Sequence, residues 1–409
     1  MAKVAVLRLD SGSLQTGFEV SLQILEDGIL LCEDIEGGKL PPNPALEALY
    51  TAWKTAFQHL ISQQTRIRGD RLDDWQDGWQ DGWQMDESLP LQRASSEQVE
   101  ACRRLMQSLE TSMKDWLCPS ADRKWAQVRE RLEAQFDRPE EIRLSLRVKD
   151  LNLVKLPWHT WDILDRHREV GLGFSFPGLK LQHKPIQPTY QGKQGRVLAV
   201  FGNSENINLQ SDRAAIEALS NEASIFLFQP SARMLIEHLR DKTGWDIFLF
   251  AGHSNTEQTH TKQQTGRIYL NETESLAVEQ FKHALQEAAR YGLQLAIFNS
   301  CRGLGLAHQF SALQIPAIIF MQETVPDEVA QVFLKEFLVE YANGQTLLAC
   351  SDLHRQATLQ SDTFLECGGE KKSQRQSRSH SQRLSHLHTL QQHQSDRFAC
   401  IVVVPLTTR

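Results

Sequence analysis

Two stretches of the chain are apolar at every position rather than at every second one. They are Ile247-Phe248-Leu249-Phe250-Ala251, within the run Trp245 to Gly252, and Leu295-Ala296-Ile297-Phe298, within the run Leu293 to Ser300. A strand with one wet face alternates apolar and polar residues, so unbroken runs of this length predict strands buried on both faces of a parallel sheet. Between them Leu276, Phe281, Ala284, Leu285 and Ala288 recur at roughly helical spacing over Leu276 to Tyr291, and Gly292 stops the helix. The unit is strand, helix, strand. The same rhythm precedes it, as strand Val197 to Phe201, helix Asp212 to Leu219, strand Ile225 to Phe228 and helix Ser231 to Leu239. It continues afterwards, with helix Leu304 to Leu313, strand Pro316 to Met321 and helix Val325 to Tyr341. This pattern predicts an α/β fold, a wound and mostly parallel sheet of about five or six strands flanked by helices.

Ahead of this block the pattern changes. Val4 to Leu9 and Phe18 to Leu25 alternate as strands, Gly37 to Pro44 is rich in turn residues, and helices are predicted over Leu46 to Ile61, Ser96 to Leu117 and Ala121 to Phe136. Residues 1–137 therefore read as an N-terminal α+β region. Within it, residues 69–90 carry the tandem Trp75-Gln76-Asp77-Gly78-Trp79-Gln80-Asp81-Gly82-Trp83, an exposed loop or, in the alternative, a docking surface built on indoles. A second region spans 140–409, with its wound half from about 195. It opens with the alternating strand Ile142 to Val148 and with Leu156-Pro157-Trp158-His159-Thr160-Trp161, whose tryptophans are read as core. Residues 368–397 are rich in Ser, Gln, Arg, Lys and His and read as a low-complexity basic insertion or tail, after which Ile401 to Pro405 is a last strand.

Composition narrows the class. The 409 residues, 41% of them hydrophobic, are enough for real cores, and a formal net charge of −7 gives no reason to expect nucleic acid as a partner. No apolar run approaches a membrane span, and Met1 to Asp10 lacks the pattern of a signal peptide, so a cytoplasmic location without a membrane partner is expected. Seven cysteines at 32, 102, 118, 301, 350, 367 and 400 form no C-x-x-C pair, which argues against a disulfide framework or a zinc knuckle. No metal and no cofactor is called for.

The chemistry lies where the two apolar runs end. In doubly wound sheets, ligands and reacting groups gather in the crevice at the carboxyl ends of the strands. His253 follows the first run there and Cys301 follows the second. An imidazole that takes a thiol proton and later delivers it to a leaving amine, beside a thiolate that attacks a carbonyl, is the apparatus of a cysteine hydrolase. The histidine precedes the cysteine by 48 residues, the order of caspase-type proteases and the reverse of papain-like ones. The bland alternative is a capping histidine and a buried core thiol.

Several further stretches carry a resemblance: Leu156-Pro157-Trp158, Phe248 to Ser254, Leu295 to Cys301, Gly303-Leu304-Gly305-Leu306-Ala307, Ile315 to Ile319 and Val325 to Ala330. From about residue 140 onward the chain resembles the CHAT domain, a caspase-like module of the clan that holds caspases and separase, in its cyanobacterial form. The likeness implies a regulated cysteine endopeptidase acting on protein or peptide substrates in a signalling setting, with His253 as base and acid and Cys301 as nucleophile. Gly252, Ser254, Arg302 and Gly303 then support the oxyanion and the thiolate. Many relatives carry glycine where this chain has Ser254, which still offers a backbone N–H, and cyanobacterial ones often carry aspartate where it has Arg302, whose guanidinium favours a thiolate. Glu323 and Asp327 are candidates for an acidic pocket selecting Arg or Lys, although Asp327 is equally placed to favour a helix start. A silent CHAT scaffold that binds partner proteins is the alternative that the resemblance leaves open.

Overall fold

The computed structural model describes residues 3–26, 29–30, 35–64, 95–118, 122–137, 142–167, 170–176, 195–204, 209–258, 264–300, 315–321, 327–343 and 401–403. The N-terminal region forms β1 (Lys3–Ser13), β2 (Gly17–Glu26), β3 (Ile29–Leu30), β4 (Ile35–Leu40), α1 (Ala45–Gln64), α2 (Ser96–Trp116) and α3 (Arg123–Phe136). Next come β5 (Ile142–Val148), the short helices α4 (Leu151–Val154) and α5 (Asp162–Arg166), and β6 (Leu172–Ser175). The wound half comprises β7 (Val197–Phe201), α6 (Gln210–Glu217), β8 (Ile225–Phe228), α7 (Ala232–Leu239), β9 (Ile247–Ala251), β10 (Ser254–Gln258), β11 (Gln264–Tyr269) and β12 (Ser275–Ala277). It ends with α8 (Val278–Arg290), β13 (Leu295–Asn299), β14 (Ala317–Phe320), α9 (Asp327–Ala342) and β15 (Ile401–Val403).

The sheet is larger than the hydrophobic pattern of one half suggests. Twelve strands join in the order β3-β2-β1-β5-β6-β15-β14-β13-β9-β7-β8, with β4 paired to β2. The expected five or six strands are thus one flank of a continuous sheet, because β15 runs antiparallel to β14 on one side and parallel to β6 on the other. Residues 37–40, expected as turn, extend β4 beside β2. A separate three-stranded sheet, β10-β11-β12, stands where only a helix was predicted between the two apolar runs. The Trp-rich stretch 69–90, the helix expected over Leu304 to Leu313 and the segment 368–397 lie outside the described residues.

Alternate residues of the central strands feed two separate cores, which is why those strands are apolar throughout. Leu198, Val200, Phe248, Phe250, Ala296 and Phe298 join the larger core together with Leu235 and Leu239 of α7 and Phe281 and Leu285 of α8. Val197, Ala199, Phe201, Ile247, Leu249, Ala251, Leu295 and Ile297 join the second with Ile216 of α6 and Phe333, Leu334 and Phe337 of α9. Helices thus cover both faces, as a parallel sheet requires. The larger core also runs through the N-terminal half, where Trp125, Trp158 and Trp161 are buried, the last two as expected from the sequence.

Candidate active site

Strand register builds the site. β7, β9 and β13 are parallel neighbours, with Phe201 opposite Ala251 and Ala251 opposite Asn299. Their carboxyl ends therefore lie side by side, and the residues that follow, Gly202-Asn203, Gly252-His253 and Ser300, leave the sheet at one edge. Thirteen polar or charged residues are buried among the described ones, and seven of them gather at or beside this edge: Asn203, Asp212, His253, Ser254, Asn255, Asn299 and Ser300. Burying a polar group is unfavourable unless it finds partners, so such a concentration marks a place where polarity is put to use.

The backbone of His253 is held by a closed ring of three hydrogen bonds. Its N–H donates to Asn203 O (3.2 Å), the Asn203 N–H donates to Tyr269 O (3.0 Å), and the Tyr269 N–H donates back to His253 O (3.0 Å). Strand β11 is thereby laid across the ends of β7 and β9. Two glycines make this approach possible. A Cβ on Gly202 would stand 2.4 Å from Tyr269 O and 2.8 Å from the Phe250 ring, and one on Gly252 would stand 3.1 Å from Asn203 O with φ at +155°. The Gly202 N–H closes the junction by donating to Ala251 O at 2.8 Å. His253 itself is only 2% exposed, and Ser254 begins β10 directly after it.

On the face of the sheet covered by α6, the carboxylate of Asp212 accepts a hydrogen bond from Asn299 Nδ2 at 3.4 Å, and both residues are buried. In the sequence Asp212 stands only as a helix start and Asn299 only as part of a motif. A signal was present, since Asp212, Ile216 and Leu219 fall at i, i+4 and i+7 and put a carboxylate on the apolar stripe of α6.

Of the expected site residues, Gly252, His253 and Ser254 stand at the shared edge. Cys301, which follows the buried Ser300 directly, lies outside the described residues, as do Arg302, Gly303 and Glu323. Asp327 opens α9, as a helix-start acid would, and its side chain is not described. Among the described residues no cluster of His, Cys, Asp or Glu could hold a metal ion, and no helix is long and apolar enough to cross a membrane.

No curated protein matches this chain. Two crystal structures of the Saccharomyces cerevisiae separase–securin complex superpose with TM-scores of 0.48 and 0.47 at 8% and 9% identity, each covering 98% of this chain and 30% of the matched chain. The chain thus spans less than a third of the length of those matched chains. A family model of the CHAT domain matches residues 125–388, from within α3 past α9. With well over half of its length so matched, the chain belongs to the CHAT domain family.

Proposed function

We propose that the chain is a caspase-like cysteine endopeptidase in which His253 and Cys301 form the catalytic pair, its activity gated by a partner or signal. The observation that carries this reading is the register of β9 and β13. With Asn299 opposite Ala251, the two strands end level at the carboxyl edge, and in the sequence His253 follows one end by two residues as Cys301 follows the other. Membership of the CHAT domain family supports it, as does the buried polar cluster at that edge.

The chemistry divides into two displacements. His253 accepts the Cys301 proton, and the thiolate adds to the scissile carbonyl carbon of a protein substrate. Backbone N–H groups around Gly252 and Ser254, with Gly303, are assigned to the oxyanion, and the Arg302 guanidinium favours the thiolate. The tetrahedral species collapses as the carbon–nitrogen bond breaks and His253 returns its proton to the leaving amine. A water deprotonated by His253 then adds to the thioester, releasing the acid and restoring the thiol. No cofactor enters either half.

Burial of His253 supports the gating. A base that is 2% exposed meets a peptide carbonyl only after the groups over it move. The decisive experiment compares wild type with Cys301→Ala for self-cleavage, cleavage of protein substrates and labelling by an electrophilic peptide probe. Wild type is expected to label and cleave, and the variant to fall to background. Equal behaviour would falsify the peptidase reading in favour of a scaffold.

A further inference from the structure

Asp212 takes no part in the chemistry above, yet it is a carboxylate only 1% exposed beside the candidate site. It lies in the first turn of α6 on the stripe that continues through Ile216 and Leu219, where an apolar side chain would be the ordinary choice. A carboxylate taken out of water is tolerated only where hydrogen bonds compensate it, and removing a partner from such a group is strongly destabilising. What Asp212 engages is therefore informative. Its Oδ1 accepts from Asn299, the last residue of β13, two positions before Cys301.

The ladder explains why that attachment matters. Asn299 and Ala251 are the last registered pair between β13 and β9, so the bond to Asp212 acts where that ladder ends. Leu295 and Ile297 face the core beneath α6 and α9, and strand alternation puts Asn299 on that face too. A carboxylate can only accept, so it also decides how the Asn299 amide is turned, with Nδ2 toward α6.

We infer that Asp212 is a positioning residue, which ties the end of β13 to α6 and so fixes where Ser300, the residue before Cys301 in the sequence, leaves the sheet. The inference rests on the Cys/His reading above and deepens it by naming what holds the nucleophile in place. Misplacement of reacting groups by even an ångström lowers rates steeply, so a strand end without this tie would leave Cys301 as an ordinary thiol.

The test uses the full chain and iodoacetamide, whose carbon forms a bond to the thiolate Sγ as iodide leaves. Labelling of Cys301 is followed from pH 5 to 9 by mass spectrometry of its peptide, so no substrate is needed. Wild type is expected to react at pH values where a free thiol is inert, and His253→Ala to revert to free-thiol behaviour. Asn299→Asp sets two carboxylates against each other, and its labelling at pH 6 should fall at least about tenfold. Adding Asp212→Asn to that variant reverses donor and acceptor across the same contact, and labelling should return to within about threefold of wild type. Thermal melts accompany every variant. If Asn299→Asp does not fold, the exchanged pair decides alone: folded and reactive sustains the inference, folded and unreactive overturns it. Undiminished labelling in a folded Asn299→Asp overturns the positioning role while leaving the Cys/His pair intact. Free-thiol behaviour of Cys301 in both wild type and His253→Ala removes the pair itself, and the inference with it.

Discussion

The two ends of the same central strands are built on opposite principles. At the amino end, charge is paired at a partly buried surface. The Arg196 guanidinium bonds to Asp241 (2.7 Å), to the Thr243 hydroxyl and to the carbonyls of Gly244 (2.5 Å) and Ala223 (3.1 Å), and lies 3.8 Å over the Trp245 ring. The Arg196 N–H donates to Asp246 at 2.8 Å, fastening β7 to the start of β9. At the carboxyl end the polar groups are buried, and a histidine is fixed through its backbone. One end spends its polarity on closing the fold. The other holds polarity away from water, the environment in which electrostatic interactions grow strong enough to do chemistry.

Substitutions at each end test that division. The largest effect is expected from Gly202→Ala at the carboxyl end. Its methyl would collide with the Tyr269 carbonyl and the Phe250 ring, an overpacked junction that costs about 2–3 kcal/mol. It should also lower Cys301 labelling by displacing the ring that holds His253, so chemical denaturation and labelling must fall together. Arg196→Ala, at the amino end, removes several charge-assisted bonds and a ring contact, for a loss of about 2 kcal/mol. Denaturation should report that loss while Cys301 labelling stays at the wild-type rate. A proportional drop in labelling would show that the two ends are coupled.

The smallest and most diagnostic effect is electrostatic. The Arg196 hydrogen bond, with further bonds from Thr243, lowers the Asp241 carboxyl from its usual 3.8 to about 2. A folded-state value below the unfolded one means that the carboxylate stabilises the fold above about pH 4, and that this contribution is lost as the pH falls toward 2. Asp241→Asn should therefore lower the melting temperature by a few degrees at pH 7, with the gap to wild type closing by pH 2. A gap that stays constant over that range would assign the effect to packing.

The same contrast explains what the sequence made legible. Strands β7, β9 and β13 were readable because burial on both faces writes itself as an unbroken apolar run. Strands β10 and β11 were not, because Ser254 to Gln258 and Gln264 to Tyr269 are mostly polar, and their pairing comes from backbone rather than from a hydrophobic face. Joining of the N-terminal strands to the wound half was hidden for another reason: β5, β6 and β15 meet through registers that no local period encodes. In the site, His253 and Cys301 stood out by their chemistry at the ends of apolar runs. Asp212 did not, since a first-turn aspartate is commonplace on exposed helices and only its stripe partners Ile216 and Leu219 betray its burial. Asn203 contributes its backbone to the ring around His253, and a backbone role leaves no mark on residue type.

Strand β15 has a consequence for how the molecule comes together. Among the described residues it is the one strand that bridges the two flanks of the sheet, with three registered pairs to β14 and a single one, Val403 with Phe174, to β6. Both neighbours are encoded before it, so during synthesis each flank emerges and folds with an open edge toward the other. Pairing across such sequence distance is slow, because loop closure must precede the contacts that reward it. The seam can pair only once residues 401–403 have been made, and among the described strands the facing edges of β14 and β6 have no other partner until then.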